Sequence, residues 1–274
     1  MKIMIFTVNY NADEKLFNFI ESVKQAQKQV DIEIIINVLD NSQKVDKDIE
    51  ELKGKLKSLY DNISIFSDGT NSGYFGGIKQ AQILLDNSYD SFIYCNPDIL
   101  LDNFFFMELE KLFLIRKCII APSILSKEDG FDQNPKYMQR LPESKLIRLK
   151  YIYSNMITYC LFQFLARIKE IIDGFKSQKE ISILDKELKI YAPHGSIFIF
   201  NDIDFFKSLP EFECFLFGEE IFIAEEAIKS NQNIIYQSTL KVYDERHASI
   251  SLLSCNFVRS LYYKSIDYLL KRYY

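Results

Sequence analysis

Asn96-Pro97-Asp98 closes the apolar run Ser91–Cys95. A carboxylate just beyond a buried strand, stiffened by a proline, suits two tasks. It can hold a hard divalent cation against a diphosphate, or it can cap a following helix. Gly218-Glu219-Glu220 heads another apolar run, Ile221–Ala224. Carboxylates at a helix start gain from the macrodipole, and beside a bound metal-diphosphate one of them could act as general base toward a hydroxyl. Asn71-Ser72-Gly73-Tyr74-Phe75-Gly76-Gly77 joins a strand to a helix. Its glycines either let backbone N–H groups approach a phosphate or simply close a tight turn. It is neither a Walker A loop nor a GxGxxG fingerprint. Asp40-Asn41-Ser42 offers donors and acceptors for a base and ribose, or a plain turn. His194, in Pro193-His194-Gly195-Ser196, and His247, in Asp244-Glu245-Arg246-His247, each read first as hydrogen-bonded structural residues.

These clusters need elements to position them. Lys2–Val8 is a β-rich apolar run, and Asp13–Gln29 sets Leu16, Phe19, Ile20 and Val23 on one helical face. Ile32–Leu39, Asn62–Phe66 and Ser91–Cys95 read as further strands, with helical spacing over Asp46–Leu59 and Tyr74–Leu85. Strand and helix in alternation with short connections predict a parallel sheet covered on both faces. Asn9, Asn11, Asp40, Asn96 and Asp98 then fall at strand carboxyl ends, the edge where open parallel sheets bind ligands. Phe104–Arg116 predicts a helix and Cys118–Ala121 a strand. Within 126–190, a polar loop precedes one long apolar-aromatic helix over Leu146–Ile172, with Arg148, Lys150, Arg167 and Lys169 near its ends. That helix either presses on the cytoplasmic face of a membrane or packs in a core or homodimer. Tyr191–Phe200 and Ile234–Tyr236 return to strand, Phe217–Ser230 to helix, and Ser249–Tyr274 is helical with a basic end. Without repeats or low-complexity linkers, 1–274 reads as one domain. Residues 1–120 form one half, 126–190 a helical insertion, 191–250 a second half and 251–274 a closing helix.

Composition narrows the function classes. Apolar residues at 48% and charged residues at 26% exclude disorder, and only 9 Gly and 6 Pro argue against a loop-rich β-sandwich. With 23 Phe, 17 Tyr and no Trp, the core must rest largely on phenyl rings. A net charge of −5 disfavours non-specific nucleic-acid binding, which needs a basic surface. The 5 cysteines are scattered without a CxxC pair, and 2 histidines cannot build a multi-histidine metal centre. Free thiols and the lack of a signal-peptide pattern or a long uncharged apolar stretch predict a cytoplasmic protein.

Taken in order, the clusters have a further meaning. Thr7-Val8-Asn9-Tyr10-Asn11, Leu39-Asp40-Asn41-Ser42, Asn71-Ser72-Gly73 with Gly76-Gly77, Asn96-Pro97-Asp98 and Phe215-Leu216-Phe217-Gly218-Glu219-Glu220 follow one another in this order, within a stretch from residue 3 to about 251. In this the chain resembles family 2 glycosyltransferases of the GT-A fold, particularly bacterial rhamnosyltransferase-like enzymes of surface-polysaccharide assembly. The resemblance implies an α/β, Rossmann-like, mostly parallel sheet flanked by helices. The first half would then bind nucleotide and the second would hold acceptor and catalytic groups. It implies that Thr7, Asn9 and Asp40 hold the donor's base and ribose, with Asn71, Gly73 and Asn96 beside the nucleotide. Asp98 matches the last residue of the family's Asp-x-Asp metal motif, and Asn96 stands where many members have Asp. Glu220 matches the catalytic base, with Glu219 its neighbour. Many relatives carry a His after Val-Tyr, where this chain has Asp244 after Val242-Tyr243 and His247 three residues on. Asp244 and His247 are therefore rival further ligands for Mg2+ or Mn2+. The implied activity is inverting transfer of a sugar from a nucleotide-diphosphate sugar to a saccharide or lipid-linked saccharide. The alternative is an impaired nucleotide-sugar-binding or membrane-peripheral scaffold.

Overall fold

The computed structural model describes residues 1–113, 117–175, 187–244 and 254–274. Strand alternates with helix through its first part: β1 (Lys2–Asn9), α1 (Asp13–Gln27), β2 (Glu33–Asp40), α2 (Asp46–Leu59) and β3 (Ile63–Phe66). A 3-10 turn at Phe75–Gly77 runs into α3 (Ile78–Leu84), followed by β4 (Ser91–Cys95), β5 (Ile99–Leu101), α4 (Phe105–Phe113) and β6 (Ile119–Ser126). Then come α5 (Glu143–Ser154), α6 (Met156–Phe175), β7 (Glu187–Ile190), β8 (Ile197–Phe200), α7 (Ile203–Ser208), α8 (Glu219–Lys229), β9 (Ile234–Asp244) and α9 (Cys255–Tyr273). The strands form one sheet in the order β3-β2-β1-β4-β8-β6-β9-β5, with β7 on β9. β1, β2, β3, β4, β6 and β9 run one way, and β5, β7 and β8 oppose them.

A period-two alternation sorts the core by side-chain shape. Phe6, Phe92, Tyr94, Phe198 and Phe200 face one side, where they pack with Phe75, Phe206 and Phe222. Ile3, Ile5, Ile34, Ile36, Ile93 and Ile199 face the other, against Phe19, Ile20 and Val23 of α1. Successive strand residues point to opposite faces, so this sorting follows directly from the sequence. Phenyl rings thus dominate one face only; the other is built on isoleucine.

Several expected elements differ. The single helix over Leu146–Ile172 is two helices, because Asn155 is extended (φ −143°, ψ 165°) and its Oδ1 accepts from the Thr158 N–H at 3.0 Å, capping α6. β6 and β9 both run well past their expected ends. β9 pairs with β7 near its start and with β5 at its end, and a bulge opposite Pro122 and Ser123 separates the two stretches. Of the expected strand Tyr191–Phe200, only Ile197–Phe200 is strand; Pro193-His194-Gly195 turns the chain. β5 and α7 had no sequence expectation, being too short to set a period. β5 also removes the helix-cap option for Asp98, because a strand follows it; Asp102 instead accepts from the Phe104 N–H at 2.9 Å ahead of α4.

Candidate active site

The carboxyl ends of β1 and β2 are tied by one carboxylate. Asp40 Oδ2 accepts from Asn9 Nδ2 at 2.7 Å, Lys44 Nζ at 3.0 Å and Ser42 Oγ at 3.2 Å, while Oδ1 accepts from the Ser42 N–H at 3.0 Å. Asn9 and Lys44 each also donate to Asp13 Oδ1, at 2.8 Å. Burial works against the charge on Lys44, yet hydrogen bonds and the charges of Asp13 and Asp40 outweigh it and raise the lysine's pKa. Thr7, Asn9 and Asp40 are all fully buried. The three residues expected to hold base and ribose are thus packed beneath the edge, with Tyr10 and Asn11 exposed above them. Lys44 and Asp13 were not anticipated; the i,i+4 spacing of Asp40 and Lys44 was the available signal.

Gly73 follows β3 with φ +78°, a conformation open to glycine. A Cβ there would lie 2.0 Å from the Phe215 carbonyl oxygen, so the loop and the chain before α8 touch backbone to backbone. Asn71 Oδ1 accepts from the Gly73 N–H at 3.0 Å, and Asn41 Nδ2 donates to the Gly73 carbonyl at 3.0 Å. The other end of the Asn41 amide, Oδ1, is buried without a hydrogen-bond partner. Tyr74 is held by its backbone carbonyl, which accepts from Tyr94, and its own hydroxyl is buried and unpartnered. Burial raises the Tyr74 pKa well above normal, with the charges of Glu219 and Asp98 among the smaller causes. Those two carboxylates therefore share the surroundings of this ring, although 121 residues separate them along the chain.

Phe217 and Gly218 both have positive φ, at 70° and 88°, and turn the chain sharply into α8. The turn aims Glu219 and Glu220 differently. Glu219 lies against Gly195, where an added Cβ would sit 3.0 Å from Glu219 Oε1. Its Oε2 is buried with no hydrogen-bond partner. Burial first, and then the charge of Glu220, push the Glu219 pKa up to about 8. Glu220 bears electrostatically on Tyr137, and both carboxylates bear on Tyr262. Two adjacent carboxyls thus have unlike environments, the arrangement that separates acid from base roles.

Asn96 donates its N–H to the Ser196 carbonyl at 2.9 Å, joining the Asn-Pro-Asp turn to the Gly195 wall. His194 is the structural residue its first reading suggested. Its Nδ1 lies 2.9 Å from Ser196 Oγ, its N–H donates to Asn134 Oδ1, and burial pushes its pKa down to about 3. Asp244 pairs with Ile99 in the β5–β9 register, and its Oδ2 accepts from Gln133 at 3.3 Å. The register brings Asp244 near the residue after Asp98. His247 lies outside the described residues. Among the described residues, no three of His, Cys, Asp and Glu are close enough to hold a metal ion by themselves. Asp98 and Asp244 carry carboxylate oxygens, the donor type that a hard divalent cation takes.

No protein-family model matches the sequence, and no curated protein does. Solved structures do. The chain is similar to GalNAc-T7, crystallised with UDP, GalNAc and Mn2+, at a TM-score of 0.56 and 12% identity over 98% of this chain and 47% of that one. It is similar to S. aureus TarS at a TM-score of 0.55 and 12% identity, over 89% of this chain and 37% of that one. Both are glycosyltransferases of the GT-A fold, and the likeness shows that fold here. The chain spans less than half the length of either.

Proposed function

We propose that the protein is an inverting glycosyltransferase acting on a nucleotide-diphosphate sugar. The observation that carries this reading is the set of buried polar atoms without a protein partner, Asn41 Oδ1, Tyr74 Oη and Glu219 Oε2, near the carboxyl edge of a GT-A sheet. Buried polar groups are normally satisfied, and open α/β sheets bind ligands at that edge, so a bound ligand is the natural partner. Asn71 and Gly73 lie beside the nucleotide, and Thr7, Asn9 and Asp40 hold the wall beneath it, with Lys44 and Asp13 locking Asp40 in place. Burial favours the protonated form of Glu219, and Glu220 is the base that the family resemblance assigns. Glu220 takes the acceptor hydroxyl's proton as the acceptor oxygen bonds to the anomeric carbon. The bond from that carbon to the diphosphate breaks on the opposite face, and its electron pair leaves with the nucleoside diphosphate. Neutralising that leaving group is the chemistry Mg2+ or Mn2+ would supply, with Asp98 and Asp244 as its protein ligands. The resemblance to rhamnosyltransferase-like enzymes favours a hexose or deoxyhexose donor of the rhamnosyl kind. It also favours a saccharide or lipid-linked acceptor in bacterial surface-polysaccharide synthesis.

A thermal-shift and hydrolysis screen of UDP-, dTDP- and GDP-sugars, with Mn2+, Mg2+ or chelator, tests the reading. One donor class should stabilise the fold with cation present, by roughly 2.7 kcal/mol at 100 times its dissociation constant. Asp98→Ala should abolish that shift and leave the unliganded melting temperature in place. A folded protein that responds to no donor in the presence of cation overturns the proposal.

A further inference from the structure

Among the described residues, the two-helix segment α5–α6 leaves an apolar face uncovered. Tyr153 and Tyr159 are buried and anchor it, while Ile147 and Tyr151 of α5 and Ile157, Leu161, Phe164 and Leu165 of α6 are exposed, Ile157 at 82%. The α6 residues fall at i, i+4, i+7 and i+8, a single stripe along the helix. From Tyr151 to Ala166 there is no charged residue, and every charged residue between Glu143 and Glu170 is basic: Lys145, Arg148, Lys150, Arg167 and Lys169. This occurs in a chain whose net charge is −5. Lys150 is engaged by Asp267 at 2.6 Å, while Arg148 and Arg167 are exposed and flank the uncharged run in sequence.

We infer that this face is a docking surface for an anionic lipid bilayer. Apolar side chains bracketed by arginines match an acyl boundary beneath negatively charged headgroups. A second copy of the chain matches it less well. A two-fold contact through the same patch would bring like-charged arginines toward one another. No helix among the described residues is long and apolar enough to cross a membrane, so α6 lies on the bilayer and does not span it. The surface is also linked to the candidate site. Tyr153 stacks on Tyr262 at 4.8 Å, and Tyr262 stacks on Phe217 at 3.8 Å, directly before Gly218-Glu219-Glu220. Docking would hold that turn near the membrane, where a lipid-linked acceptor would be presented. The bilayer contact itself does not depend on the glycosyltransferase reading.

The test is flotation of the full chain with phosphatidylglycerol and phosphatidylcholine vesicles, without any donor nucleotide. Binding should favour phosphatidylglycerol and weaken with salt. Leu161→Glu with Phe164→Glu should lower partitioning by roughly 100-fold or more at an unchanged melting temperature, since two large apolar side chains leave the contact. Arg148→Glu with Arg167→Glu should abolish the preference for anionic vesicles. The inference is overturned if the chain ignores phosphatidylglycerol at low ionic strength, or binds it equally well after the α6 changes. It is also overturned if, in vesicle-free solution, the chain is a dimer that Leu161→Glu dissociates. None of these outcomes bears on whether a donor sugar is bound, which the thermal-shift screen decides separately.

Discussion

Glu219 carries a clear pH signature. Its pKa of about 8 in the folded chain stands above its ordinary 4.5, so the folded state binds the proton more tightly than the unfolded one. That contribution to stability is complete below about pH 4.5 and is lost as pH rises through 8. The melting temperature should therefore fall between pH 5 and pH 8.5, and Glu219→Gln should flatten the fall and melt higher than the parent at the alkaline end. Equal slopes for the two proteins in thermal melts would contradict the buried-carboxyl account. Glu220 is tested by turnover. Glu220→Gln should lower transfer by about 10²–10⁴-fold, the range for a general base, and retain the donor-induced thermal shift. If Glu219→Gln is inactive and Glu220→Gln is not, the two roles are exchanged.

At the scale of elements, the loop after β3 is set by backbone contact more than by side chains. Gly69 and Gly73 both have positive φ, but an added Cβ meets open space at Gly69 and the Phe215 carbonyl at Gly73. Gly69→Ala should therefore cost only the left-handed penalty of about 1–2 kcal/mol. Gly73→Ala adds a collision to that penalty and should cost distinctly more, read as the difference in denaturant midpoint at equal slope. If the two variants match, the loop and the chain before α8 are not in contact. The α5–α6 break belongs at this scale too. Asn155 ends one helix and caps the next, which lets Tyr153 and Tyr159 turn inward while Leu161 and Phe164 stay outside.

Across the whole molecule, one buried carboxylate joins distant parts of the chain. Glu225 of α8 accepts from Arg140 Nε at 2.8 Å and Nη2 at 3.0 Å, from Tyr191 Oη at 2.6 Å and from Tyr274 Oη at 3.2 Å. Arg140 also donates to the Tyr273 carbonyl and stacks on the Tyr274 ring. The loop before α5, the end of β7, α8 and α9 thus meet at one group. Glu225→Ala strands a partly exposed guanidinium and two hydroxyls, and should cost about 2–4 kcal/mol in urea unfolding. Glu225→Gln, which keeps an acceptor, should cost less. A neutral Ala variant would mean the network is ornamental to stability.

Local patterns settled much of this architecture. The alternation of Ile with Phe or Tyr in β1, β4 and β8 dictates which side chains share a face, and the polar residues ending β1, β2 and β4 mark the sheet edge where a ligand belongs. Such features are legible because they depend on residues two to four positions apart. The lengths of β6 and β9, the strand β5 after Asp98, and the contact of Gly73 with Phe215 depend on partners far along the chain, and only tertiary structure decides them. The same holds for chemistry. Glu219 and Glu220 are identical and adjacent in sequence, yet Glu219 lies against Gly195 and acts on Tyr74, Glu220 acts on Tyr137, and both act on Tyr262. A pKa is a sum over such neighbours, so only folding raises that of Glu219.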